Sequence, residues 1–393
     1  MNRVIVIIFG LLNKIYPKSA NINLFISSPD FTDNSFALFK YILKNSNNDK
    51  KKYIWLVDNI KNKSLYKKLI NRNINNSMQN KIYIFDKKSL YGLYYFIKAK
   101  YIFFTHGFYT GMTLPKNQIR VNLWHGMPLK AIGYLNKQDI NKVPKSSFAI
   151  ATSKFYQDVI SRVFNLENKK VIITGQPRCD FLFSTEDTLK VFNIQKENYK
   201  KIVLWAPTYR YDKDNKIKDG IFKNTLPVIK DLESLNIYLN KIDSFLIIKL
   251  HPMDILNNFE FKELSNIKVI KDRDIIKKSL QFYELLANID ILITDFSSIY
   301  IDFLLLDRPI IFLIDDFKEY EHSRSFIFSN PKDYMPGYIA TNIYELKVEL
   351  KRLIINNEDS HKEKRDLLTK KFHKYKKDFS KRLLNMLEQK CKK

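Results

Sequence analysis

The chain has 393 residues, too many for one ordinary hydrophobic core and suited to two domains. Hydrophobic residues make up 45% and charged residues 27% of it, globular usage that excludes extensive disorder away from the ends. Lys and Arg outnumber Asp and Glu by 67 to 41, a formal charge of +26 that concentrates anionic partners: nucleic acid, an anionic membrane surface or a phosphate-rich substrate.

The N-terminus, MNRVIVIIFGLLNKIYPKS, is apolar from Val4 to Leu12, flanked by Arg3 and Lys14 and stopped by Pro17. It is shorter than the ~20 apolar residues of a spanning helix and has no small-residue cleavage site. Residues 1–18 therefore read as a segment lying in the membrane interface. The alternative is a buried first strand, because Val4 to Ile8 favour β structure, although NINLFISS follows the proline directly and is the better first strand.

From residue 21 onward short apolar runs alternate with longer amphipathic ones, the pattern of a parallel sheet wrapped by helices. Strands are expected at 23–28, 51–58, 81–86, 100–107, 119–126, 146–153 and 170–177, with helices at 36–45 and 89–100. Asp180 to Lys200 is polar and strand-poor, which places the junction there. A second series, 201–210, 244–253, 267–272, 290–298 and 308–315, consists of nearly continuous apolar runs ending in polar residues, as buried parallel strands should. The expected fold is α/β. Two Rossmann-like domains, 19–185 and 200–360, face each other across a cleft. The tail, 361–393, repeats Leu368, Phe372, Tyr375, Phe379, Leu383 and Met386 at helical steps within a lysine-rich background. It reads as a basic amphipathic helix that crosses back over the junction or meets a membrane.

Only Cys179 and Cys391 are present, so neither a disulfide framework nor a cysteine metal site is suggested, and a reducing, cytoplasmic compartment fits. No cluster of carboxylates or Cys/His ligands points to a dedicated metal ion. Basic residues and a helix terminus are expected to replace a required cofactor, Mg²⁺ entering at most with a donor diphosphate.

In an open parallel sheet ligands gather at the carboxyl ends of strands, and four expected strand ends carry polar side chains. His125 follows one, in NLWHGMP, where Gly126 admits close approach and Pro128 stops the strand. A neutral imidazole with an ordinary pKa of about 6.5 can take a proton from an acceptor alcohol. His106, in FFTHG, is the rival for that role, with Lys130 and Arg178 lining the same mouth to guide an anionic acceptor. In KLHP, strand alternation places Lys249 and His251 on one face, able to neutralise a diphosphate and protonate a departing phosphate oxygen. A histidine before proline also serves purely structural turns. In TDFSS, a helix starting at Ser297 or Ser298 would offer free N–H groups and two hydroxyls to an anion. Asp295 and the serines could equally be a plain helix cap. Thr208 and Arg210, in APTYR, bring a guanidinium suited to phosphate from another strand end.

These stretches together, WHGMPLKAIG, TGQPRCD, LWAPTYR, IIKLHP, ITDFSSIYIDF, RPIIFLIDDFKEY and MPG, resemble the CDP-glycerol glycerophosphotransferases, the teichoic-acid primases and polymerases with their capsule relatives. They stand in that family's order over about the C-terminal two-thirds of the chain. The resemblance implies a GT-B enzyme that transfers glycerol phosphate, or a related alditol phosphate, from CDP-glycerol or another CDP-alditol to a lipid-linked saccharide acceptor, releasing CMP. Attachment is implied at the cytoplasmic face of the cell membrane, peripherally. By matching position His125 is the base, His251 the second essential histidine, and Thr208, Arg210, Ser297 and Ser298 hold the donor. Met127 stands where the family usually has a small polar residue, and Phe296 where it usually has tyrosine. The first bears on the acceptor pocket. The rivals are a GT-B glycosyltransferase or 2-epimerase using a UDP-sugar, and a basic nucleic-acid-binding protein. Against the latter, the basic residues are dispersed and no nucleic-acid motif occurs, so no nucleic-acid partner is expected.

Overall fold

A computed structural model describes residues 3–45, 50–109, 112–208, 232–251, 261–315, 317 and 326–391. The chain divides into two compact units. The first comprises Met1–Met127, Ile132–Phe181 and Phe372–Lys393, and the second Pro128–Ala131 and Leu182–Lys371.

The first unit opens with helix α1 (Arg3–Ile15). Strand β1 (Ser19–Ile26), helix α2 (Asp33–Asn45), β2 (Lys52–Val57), α3 (Lys63–Asn73), α4 (Asn76–Gln79), β3 (Ile82–Asp86), α5 (Leu90–Lys98), β4 (Ala99–Phe104), β5 (Ile119–Asn122), β6 (Phe148–Ala151), α6 (Lys154–Phe164) and β7 (Val171–Ile173) follow. The seven strands pair in the order β3-β2-β1-β4-β5-β6-β7, and every pairing is parallel. The order reverses at β1, which lies between β2 and β4. Helix starts follow local chemistry: Ser89 caps α5 by accepting from Gly92 N at 3.0 Å, and Ser153 caps α6 by accepting from Tyr156 N at 3.3 Å. One face of the sheet packs on an aromatic cluster in which Phe31 stacks on Trp55 at 4.2 Å and on Tyr66 at 4.8 Å. All three rings are buried, and each side chain of this size contributes about 1.5–3 kcal/mol.

The second unit contains β8 (Lys201–Trp205), α7 (Leu232–Lys241), β9 (Ser244–Lys249), β10 (Ile267–Ile270), α8 (Asp272–Lys277), α9 (Phe282–Leu286), β11 (Ile291–Thr294), α10 (Ile299–Phe303), β12 (Ile310–Leu313), β13 (Tyr338–Ala340), α11 (Ile343–Ile354) and α12 (Lys362–Phe372). Its strands run parallel in the order β10-β9-β8-β11-β12-β13, so the order reverses between β8 and β11. Alternate residues Val203, Trp205, Leu246, Ile248, Ile291 and Ile293 form one core with Leu235 and Leu239 of α7 and Leu346 and Leu350 of α11. Strand β13 was not among the expected strands, because three residues after a Pro-Gly pair carry too little periodicity to read.

Most expected strands are found, trimmed at their carboxyl ends. The run 119–126 ends as a strand at Asn122, whose side-chain oxygen accepts from Trp124 N at 3.0 Å while Trp124 itself adopts a left-handed φ of +48°. The expected continuous helix over 361–393 is two helices. α12 ends at Phe372, Lys374 N donates to Thr152 O at 2.8 Å, and α13 (Phe379–Cys391) begins where the Asp180 carboxylate accepts from Phe379 N and Ser380 N at 2.9 and 3.0 Å. α13 is part of the first unit. Its Phe379 ring lies where a Cβ on Gly175 would fall, 2.1 Å from Cδ1, and Gly175 has a φ of +79°, so this position requires glycine. The stretch 180–200, expected to be irregular, forms short 3₁₀ turns whose Leu189, Phe192 and Ile194 are buried.

α1 is the helix expected over the N-terminal segment. Asn13 on its inner side is buried and donates to Thr113 O at 3.0 Å, while Leu11, Leu12 and Ile15 are exposed. Among the described residues no helix is long and apolar enough to cross a membrane.

Candidate functional site

In the first unit the loops that leave β1, β4, β5 and β7 at their carboxyl ends converge on His125. Its ring Nδ1 lies 3.3 Å from the carbonyl of Thr105, the residue after β4. A carbonyl oxygen can only accept, so Nδ1 carries the proton and Nε2 holds a lone pair. That is the tautomer a base needs. The backbone is held as firmly as the ring. Arg178, after β7, donates from Nη1 to the His125 carbonyl at 2.7 Å, and Asn34, at the start of α2, donates to the carbonyls of Leu123 and Trp124 at 3.1 and 2.9 Å. Gly126 follows with a φ of +147° and is buried, a conformation that suits glycine.

Burial pushes the His125 pKa below its ordinary value, Asp33 pulls it partly back, and Arg178 lowers it further. His106 is pushed well below its ordinary value, mainly by burial and then by His125, Lys87 and Arg178. Both rings are thus neutral near pH 7. His106 stacks on His125 with ring centroids 4.2 Å apart.

Arg178, expected to guide an acceptor, is buried, forms an ion pair with Asp33 at 3.0 Å and holds the His125 backbone. Lys130 belongs to the second unit, where it forms an antiparallel bridge with Phe326 beside the 2.9 Å bond from Ile327 N to Leu129 O. Asp33, Asn34, Thr105 and Gln176 were not singled out in the sequence. Asp33 and Asn34 lie at the start of α2, ahead of the helix expected from 36, and no local pattern reports that Asn34 also donates to Gln176 Oε1 at 3.1 Å, 142 positions away.

In the second unit Asp295 and Thr208 meet at the reversal between β8 and β11. The Asp295 carboxylate, 3% exposed, accepts from Thr208 N at 3.1 Å and from Thr208 Oγ1 at 2.8 Å. Thr294 Oγ1 donates to Ala206 O at 2.8 Å, so the two strand ends are laced together. Asp295 therefore holds Thr208 in place. Ser297 and Ser298 are half-buried and precede α10, which starts at Ile299 and has only 5 residues, so the helix dipole behind them is short. Phe296 is buried against Phe317 and Phe326, at 5.9 and 5.6 Å.

Lys249, expected beside a donor diphosphate, is engaged within its own unit. Lys249 is buried, its ammonium 3.0 Å from Asp272 Oδ1 and donating to Leu250 O at 2.8 Å, so its charge is neutralised within the unit. His251 is half-buried and ends a described stretch. Arg210 lies outside the described residues. Among the described residues no three His, Cys, Asp or Glu side chains gather in a way that could hold a metal ion, and no resident cation is assigned.

A family model described as CDP-glycerol:poly(glycerophosphate) glycerophosphotransferase matches residues 8–389. The chain is 29% identical over 356 residues to a teichoic acid poly(glycerol phosphate) polymerase of Bacillus spizizenii, covering 84% of this chain and 83% of the relative. It is 30% identical over 229 residues to a teichoic acid glycerol-phosphate primase of Bacillus subtilis, 55% of each chain. A longer Bacillus subtilis polymerase is matched over only 33% of its length. Among solved structures the wall teichoic acid polymerase TagF superposes with a TM-score of 0.78 at 20% identity, covering 98% of this chain and 93% of that one. The UDP-GlcNAc 2-epimerase of Methanocaldococcus jannaschii superposes with a TM-score of 0.55 at 14% identity, covering 94% of this chain and 99% of that one. Both likenesses bear on the fold.

Proposed function

Because the chain belongs to the CDP-glycerol:poly(glycerophosphate) glycerophosphotransferase family, we propose that it transfers glycerol phosphate from CDP-glycerol to an acceptor hydroxyl in teichoic-acid-like polymer synthesis, with His125 as the general base. The acceptor oxygen attacks the glycerol-bearing phosphorus, its proton passes to His125 Nε2, and the bond from that phosphorus to the CMP oxygen breaks. Such a displacement needs positioning and charge stabilisation more than covalent help. The observation that carries this reading is the Nδ1 contact to the Thr105 carbonyl, which leaves Nε2 as the basic nitrogen of a neutral ring. His251 is assigned to the departing phosphate, and Thr208, Ser297 and Ser298 to the donor diphosphate, with Asp295 holding Thr208 in place.

The acceptor is proposed to be lipid-linked, which requires the enzyme to sit on a membrane. α1 and α5 carry no acidic residue, and Leu11, Ile15, Leu90 and Tyr91 are exposed on them, with Tyr16 and Tyr94 in edge contact at 6.4 Å. Apolar and tyrosine side chains beside Lys14 and Lys98 suit the interface of an anionic bilayer.

The direct test measures CMP released from CDP-glycerol with a prenyl-diphosphate-linked acceptor. His125→Ala and His251→Ala should each lower kcat by at least about 100-fold, the range of a lost acid or base. Full activity in either variant would remove that residue from the mechanism, and CMP release from no CDP-alditol would remove the reaction itself.

A further inference from the structure

The imidazoles of His106 and His125 lie face to face, with planes 9° from parallel and centroids 4.2 Å apart. Thr105 joins them. Its carbonyl lies 3.3 Å from His125 Nδ1, and its hydroxyl lies 3.0 Å from His106 Nδ1. The Trp124 indole is a further neighbour of His125, with centroids 4.0 Å apart and planes inclined by 35°. A ring in parallel contact with another cannot turn about its Cβ–Cγ bond without driving its edge into the neighbour, and the covered face is closed to water.

We propose that His106 is a positioning residue for His125: its ring covers one face of the imidazole, fixes its plane and keeps water from it, so that His125 presents an unprotonated Nε2 to the acceptor. His106 touches no reacting atom in this role. The inference deepens the assignment of His125 as base and rests on it, but it concerns the ring's surroundings and is measurable without substrate.

The charged groups facing the pair come from three elements. Asp33, at the start of α2, favours protonated His125; Arg178, after β7, opposes it. Lys87, after β3, and Arg178 both oppose protonation of His106, and a proton on His125 opposes it further. The two rings therefore stay neutral together, and neither repels the other. Replacing His106 with a small side chain admits water to the covered face. This relieves the burial that holds His125 below its ordinary pKa.

The experiment is NMR titration of protein labelled with ¹³C at histidine Cε1; the chain has six histidines, and His125→Ala assigns the resonance. In His106→Ala and His106→Asn the His125 midpoint should rise by about one pH unit. His106→Phe, which keeps a flat cover without nitrogen, should leave it near the unsubstituted value. The acid limb of CMP release should move in the same way. Asparagine can still meet the Thr105 hydroxyl, so a shift there isolates the ring from the hydrogen bond. A midpoint unchanged in Ala and Asn, or moved as far in Phe as in Ala, overturns the proposal. If the alanine variant does not fold, the Asn and Phe variants carry the comparison. Full CMP release by His125→Ala would instead defeat the base assignment, an outcome independent of the titration.

Discussion

Arg178 and Asp33 form a buried ion pair, Nη1 to Oδ1 at 3.0 Å, and the same guanidinium nitrogen donates to the His125 carbonyl at 2.7 Å. A cation expected to greet substrate thus orients the strand end that bears the base. Asp33 sits in the left-handed region, φ +62°, where its Oδ1 also accepts from Asn34 N at 2.7 Å. The surrounding bonds stabilise this uncommon backbone geometry.

Removing the Asp33 charge takes an ion-pair partner from a buried guanidinium. Asp33→Asn is expected to destabilise the protein by about 3–5 kcal/mol, read from urea unfolding, and to lower kcat on the order of 100-fold through displacement of His125. Arg178→Lys keeps the charge but loses the planar fork, so its kcat should fall more than its stability. Wild-type kcat in both variants would show that the His125 backbone does not depend on the pair.

Acid should destabilise the fold through the histidine pair. Burial depresses both folded pKa values below the ordinary 6.5, so the unfolded chain binds more protons than the folded one in the window beneath that value. The stabilising contribution is complete above pH 6.5, declines as pH falls, and is lost as pH drops through the folded pKa values. In His106→Phe the slope of stability against pH below 6.5 should be shallower than in the wild type, as measured by thermal melting from pH 5 to 7 at constant ionic strength.

Asp295 holds Thr208 through both its backbone and its hydroxyl, so Asp295→Ala removes both of these bonds at the β8 and β11 ends. A loss of about 1.5–3 kcal/mol is expected for each hydrogen bond to the carboxylate that is removed. CDP-glycerol at a concentration that raises the wild-type Tm should raise that of the variant less, because Thr208 is no longer held. An equal Tm rise would take Thr208 out of donor binding.

The α1 and α5 face predicts a specific membrane defect. Ile15→Asp combined with Leu90→Asp should reduce co-sedimentation with liposomes containing anionic lipid. Both positions are 78% exposed, so Tm should change little. Binding by the unsubstituted protein should weaken as salt is raised, since part of the attraction is electrostatic. Undiminished binding by the double variant would move the attachment elsewhere.

Much of this architecture was legible in the linear order of residues, because it depends on interactions between near neighbours and on periodicity. Buried parallel strands such as SFLIIK must be apolar on both faces, helix starts such as Ser89 and Ser153 need capping oxygens, and polar residues just beyond apolar runs mark strand ends. His125 and Asp295 could be picked out on that basis. Their partners could not. That Asn34 binds Gln176, that Arg178 turns to Asp33, that Lys249 pairs with Asp272 and that His106 stacks on His125 all depend on how loops from separate strands meet at the carboxyl ends of the sheets. The amino-acid pattern specified which groups reach a sheet edge, since a strand's direction is a local property. Only the tertiary structure decided which charges neutralise one another there, because ion pairing depends on distance in space and has no period along the chain.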